Sequence, residues 1–115
     1  MKSEYIELNT GLHPILVRTG KDAAENFELI GDSDPDDLWC HVVGKPSGHT
    51  VAAINEDMSK KELQLLITQC AVICKKHSKF ASYSNLPIVY TLIKHVTKTK
   101  VLGSVLLAES KMIVI

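Results

Sequence analysis

The segment SKKELQLLITQCAVICKKHSKF, residues 59–80, leaves this chain the fewest choices. Leu63, Leu66, Ile67, Cys70, Ile73, Cys74 and His77 all fall within about 60° of one direction on a helical wheel, the wide apolar stripe of a helix lying on a sheet. Ser59 and Glu62 supply a capping box at its start, and about nineteen residues would give roughly 28 Å of helix. Leu65 and Val72 point the other way, so a second element or a partner chain is expected over them.

The remaining segments are short. Residues 5–8 and 14–18 read as strands around the turn-like NTGLH, and DAAENFELI reads as a helix entered through Asp22, with Glu25 at capping-box spacing. GDSDPDD is a loop, punctuated by Gly31 and Pro35. LWCHVV and HTVAAI form a hairpin about GKPSG, and PIVYTLI, GSVLLA and KMIVI close the chain as strands rich in β-branched residues. The expected fold is α+β, a single domain over residues 1–115 with a largely antiparallel sheet, one short helix and one long one.

Composition narrows the function. A hydrophobic content of 45% with 13 basic and 13 acidic residues is that of a globular chain, and the zero net charge argues against strong indiscriminate binding to nucleic acid. The charge is nonetheless divided. Residues 1–37 hold nine acids against three basic residues, whereas the rest holds ten lysines against four acids, so the second half could build a phosphate-binding face. Neither terminus reads as a targeting or membrane-spanning segment, which points to the cytoplasm or nucleus and to no membrane partner. Three cysteines, two of them on one helix, are expected to stay reduced.

Catalytic and metal chemistry find little support. DSDPDD imitates an EF-hand loop but has Asp37 where the glycine belongs and Val43 where a bidentate glutamate belongs. Cys70, Cys74 and His77 have ligand-like spacing, yet they sit in the apolar stripe, where cysteine behaves as a small hydrophobe. Cys40 and His41 are consecutive strand residues facing opposite ways, while Cys40 with His49 across the hairpin remains geometrically open. No catalytic residue, cofactor or metal is expected. Strand alternation puts Leu38, Cys40 and Val42 on the core side, with Trp39, His41 and Val43 opposite. Either Trp39 and His41 stack on unpaired bases, or Trp39 packs beneath the short helix with His41 satisfied by a backbone carbonyl. The late lysines of TLIKHVTKTK are read as a loop and as the better phosphate patch.

Several ordered segments then match one pattern. GKDAAENFELI, DPDDLWCHVVGKPSGHTV, the long helix, PIVYTLIKHVTKTK and GSVLLAESKMIVI together resemble the NFACT RNA-binding domain over residues 14–115. The resemblance rests on Gly20, Lys21, Ala23 and Asn26, on Asp37, Trp39, His41, Pro46 and His49, on Tyr90, Thr91, Lys94, Val96 and Lys98, and on Gly103. Cys40 replaces the usual aromatic, and Ser47-Gly48 inverts the usual order. In larger members this domain accompanies others in ribosome-associated quality control, where the whole protein engages the obstructed large ribosomal subunit and tRNA. Another branch is linked to DNA. The resemblance implies a non-catalytic module binding tRNA or ribosomal RNA, with Lys21, Asn26, Asp37, Trp39, His41, His49, Lys94 and Lys98 as contacts, to which the late-lysine patch adds Lys100. The alternative is a scaffolding adaptor that uses Leu65 and Val72 and has no useful RNA affinity.

Overall fold

The computed structural model describes residues 1–8, 11–54 and 56–115, so Asn9 and Thr10 of the expected NTGLH turn lie outside the described residues. Strands β1 (Lys2–Ile6) and β2 (Ile15–Thr19) precede helix α1 (Ala23–Gly31), and β3 (Leu38–Val42) and β4 (Thr50–Ala52) form the hairpin. Helix α2 (Lys60–Lys76) leads to β5 (Pro87–Leu92), a 3-10 turn at Ile93–His95, β6 (Val96–Lys98), β7 (Val105–Leu107) and β8 (Lys111–Val114). Six strands make one sheet in the order β1-β2-β4-β3-β5-β8, every neighbour antiparallel, and β6-β7 make a separate ribbon.

That order explains the layers. β2 and β3 run the same way with β4 between them, and β4 and β5 run the opposite way with β3 between them. Both crossovers step in the same direction along the sheet. Right-handed connections between oppositely directed strand pairs place their helices on opposite faces. Accordingly α2 buries Leu66, Ile67, Cys70, Ile73 and Cys74 against Leu38, Cys40 and Val42. On the other face α1 buries Leu29 and Ile30 with Trp39, Val51 and Ile93, and the ribbon adds Val96, Val105 and Leu107.

Both helices begin as their sequences require. The Ser59 hydroxyl accepts from the Glu62 amide at 3.1 Å, and the Glu62 carboxylate accepts from the Ser59 amide at 2.9 Å. At α1 the Asp22 side chain accepts from Glu25 N, but the Glu25 carboxylate accepts from Lys21 N, one residue before the cap. The expected loop around Lys94 and Lys98 is corrected: Lys94 lies in the 3-10 turn and Lys98 in β6, because β7 supplies a partner strand. Leu65 and Val72 stand 40% and 41% exposed, uncovered by any described element.

Candidate nucleic-acid interface

The hairpin's second face is built from a nested pair of close backbone approaches. A Cβ on Gly48 would collide with the Gly20 carbonyl oxygen, and one on Gly20 would collide with the Asn26 side-chain oxygen. The loop therefore lies directly on the start of α1, where Gly20 N donates to His49 O at 3.0 Å and His49 N donates to Asn26 Oδ1 at 2.9 Å. Those contacts aim the His49 ring at Trp39 and His41. The Trp39 and His41 rings lie parallel with centroids 5.9 Å apart, and His49 meets them edge-on at 5.2 and 5.0 Å.

The expectation of solvent-facing rings is overturned for two of the three. Trp39 is 1% exposed and His49 2%, because α1 and the ribbon cover the face that strand alternation assigns them. Of the two readings of Trp39, packing beneath the short helix is the one observed. Only His41 is half-exposed. Burial lowers the His41 pKa, and burial together with the neighbouring His41 pushes His49 down to about 3, opposed by a backbone interaction with Gly103. Both imidazoles are neutral near pH 7.

Asn26 and Asp37 are likewise internal rather than surface contacts. Asn26 holds the His49 amide, while Asp37 accepts from Ile54 N through one oxygen and from Asp34 N through the other, each at 3.0 Å. A buried carboxylate bridging two backbone donors ties the loop after α1 to the end of β4. These motif residues shape the face without presenting themselves on it.

The lysines keep company better than the rings. Lys21 stands just before α1, Lys100 lies in the turn whose Gly103 abuts Ala23, Lys98 extends over the Phe27 ring at 5.4 Å, and Lys94 sits beside the loop after α1. They follow one helix about 13 Å long. The charge division of the sequence does not survive folding, however, since α1 and its loop bring their acids into the same layer. Lys94 pairs with Asp36 at 3.3 Å and Lys21 with Glu25 at 3.7 Å, which leaves Lys98 and Lys100 without an ion pair among the described residues. Surface pairs of this kind are weak, so phosphate can compete for both lysines.

Between the hairpin and β7 lies a cleft of about 590 Å³. Its floor follows the sheet register His41↔Val89 and Val89↔Met112, one row across three strands, and its walls include Trp39, His49 and Ser104. Sequence reasoning missed Val89 and Met112, which are adjacent only after β8 pairs with β5, and Ser104, which the turn before β7 brings to the same cleft. A second hollow of about 380 Å³ shares His41, His49 and Gly103 and opens toward Lys21 and Lys79.

The nucleophile and metal candidates resolve on the opposite face. Cys40 faces α2, with its Sγ 3.1 Å from that of Cys70, whereas His49 lies across the sheet with Trp39, so the Cys40–His49 pairing is corrected. Burial raises the Cys40 thiol pKa and pushes Cys74 up to about 12. All three cysteines are unpaired thiols. His77 meets Glu4 at 3.1 Å rather than the cysteines, and no cluster of three or more metal-ligating side chains occurs among the described residues. No helix among those residues is long and apolar enough to cross a membrane.

A search of curated proteins returns no match. Among solved structures, the C-terminal part of the fibronectin/fibrinogen-binding protein from Streptococcus suis aligns over 98% of this chain and 44% of that one, with a TM-score of 0.80 and 21% identity. At that identity the likeness concerns the fold, and this chain spans less than half of the matched structure's length. The family described as NFACT protein RNA binding domain matches residues 5–113. The match begins in β1 and ends in β8, taking in the hairpin, both helices and the ribbon, and on it the chain belongs to the NFACT RNA-binding domain family.

Proposed function

We propose that this chain is a non-catalytic RNA-binding module that holds tRNA or ribosomal RNA in ribosome-associated quality control. Membership in a family of RNA-binding domains carries the reading. The contacts are assigned to Lys98 and Lys100 of the ribbon, to Lys21 and Lys94 once phosphate displaces their carboxylates, and to the half-exposed His41 at the cleft mouth. Asn26 and Asp37 act behind that surface by holding its shape, and Trp39 and His49 form the buried wall of the cleft. A cytoplasmic or nuclear setting would supply such RNA.

If about three of these four lysines engage at once, the slope of log affinity on log salt is near −2, at about 0.7 per contact on single strands. Affinity for a structured RNA at several salt concentrations tests this. The Lys98→Ala/Lys100→Ala protein should bind more weakly with a slope shallower by about 1.4, and an unchanged slope would remove the ribbon from the interface.

A second reading keeps one specific observation. Leu65 and Val72, two turns apart on α2, form an uncovered apolar strip on the side away from the ribbon. An adaptor that docks a protein there needs no RNA.

A further inference from the structure

Two groups in the ring cluster stand out by what they lack. The indole Nε1 of Trp39 and the Nδ1 of His49 are buried without any hydrogen-bond partner, and both side chains are more than nine-tenths buried in the wall of the same cleft. The neutral His49 ring keeps one nitrogen as an acceptor, and an indole N–H can only donate. Leaving either unpaired is costly in a folded interior. The third member, His41, alone reaches solvent; its ring lies parallel to the indole and interacts with the Val42 and Ser47 backbone, contacts that an entering base would replace.

Resting on the RNA-binding reading, we propose that the cleft between β3, β5, β8 and β7 receives one unstacked nucleobase of single-stranded RNA. The base lies over the apolar Val89–Met112 floor, and its polar edge, where donors and acceptors sit side by side, pairs with the Trp39 indole N–H and the His49 acceptor. The His41 ring turns to admit the base and then covers it. Rotamer changes of this size are ordinary at interfaces. Unstacked bases held by rings and read along their polar edges are the usual form of sequence recognition in RNA. The neighbouring Lys98 and Lys100 hold the phosphates of the same strand, so the cleft supplies selectivity where the ribbon supplies attraction.

Trp39 is the only tryptophan in the chain, so its emission reports on the cleft without a label. The experiment titrates the full chain with short single-stranded RNAs of each base and with a blunt RNA duplex. Indole emission is followed alongside the anisotropy of an end-labelled RNA. Single strands should change Trp39 emission with the same midpoint as the anisotropy, at least one base giving a larger change than the others, and the duplex should leave emission unaltered. Ser104→Leu, a solvent-side substitution that narrows the cleft mouth, should weaken the preferred strand about tenfold. It should leave duplex binding and the circular-dichroism spectrum unchanged.

Anisotropy binding with no change in emission, or a Ser104→Leu protein that binds the preferred strand as well as wild type, would overturn the base pocket while leaving RNA binding in place. An emission change caused by an extended apolar peptide and by no RNA would reassign the cleft to a peptide. Absence of any RNA binding in anisotropy would remove both readings together.

Discussion

Trp39 is enclosed by Leu29, Ile30, Val51 and Ile93, so its principal debt is to packing. Truncation to alanine is expected to cost about 3–5 kcal/mol in chemical denaturation whether or not RNA is present. A loss well under 1 kcal/mol would mean that the second face is loosely covered. His49 adds a pH dependence whose sign follows from its lowered pKa. The unfolded chain takes up a proton near 6.5, while the folded ring resists down to about 3. Between those values the unfolded state binds more protons, so stability is complete above the upper limit and falls as pH falls, by up to about 1.4 kcal/mol per pH unit. The lowered His41 pKa acts in the same direction. Thermal midpoints taken from neutral pH down to about pH 5 should decline, and a flat profile would contradict neutral, enclosed imidazoles. At this scale strand alternation correctly pairs Trp39 with His41, yet it carries no information on whether the face they share is wet or covered. That is decided by α1 and the ribbon, elements distant in sequence.

The hairpin and the start of α1 act as one piece because two glycines permit their backbones to touch. Gly48→Ala would place a methyl against the Gly20 carbonyl, a backbone atom with little room to move, and overpacking of this kind costs about 1–3 kcal/mol. The His49 N to Asn26 Oδ1 bond should weaken with it, seen as faster exchange of the His49 amide with solvent. An unshifted exchange rate would show that the loop is held by other means. The two helices, their caps and the hairpin were legible because periodicity and capping spacing are local signals. The β6-β7 ribbon was not, since strands of three residues, Val96–Lys98 and Val105–Leu107, are too short to display alternation and become strands only by pairing. The spacing around Lys94 and Lys98 therefore suggests a loop, although it does bring both close to Lys100 along the chain.

For the molecule as a whole, the six-stranded sheet separates two tasks. The α2 face is a closed apolar core with three buried thiols, and the opposite face carries the candidate lysines, the half-buried His41 and the cleft. The charge division seen along the chain becomes a mixture in space, so the proposed RNA binding by this face would depend on a few cations and on local geometry rather than on a broad positive field. Identity of the cleft floor was hidden for a related reason: Val89 and Met112 meet only through the β5-β8 register. The most direct test of the proposed RNA-binding face is a map of backbone amide shifts during titration with a structured RNA. The expected result is a continuous set of perturbations over Lys21, His41, Lys94, Lys98, Lys100 and Gly103, with the solvent side of α2 silent. Perturbations centred on Leu65 and Val72, or none at saturating RNA, would contradict it.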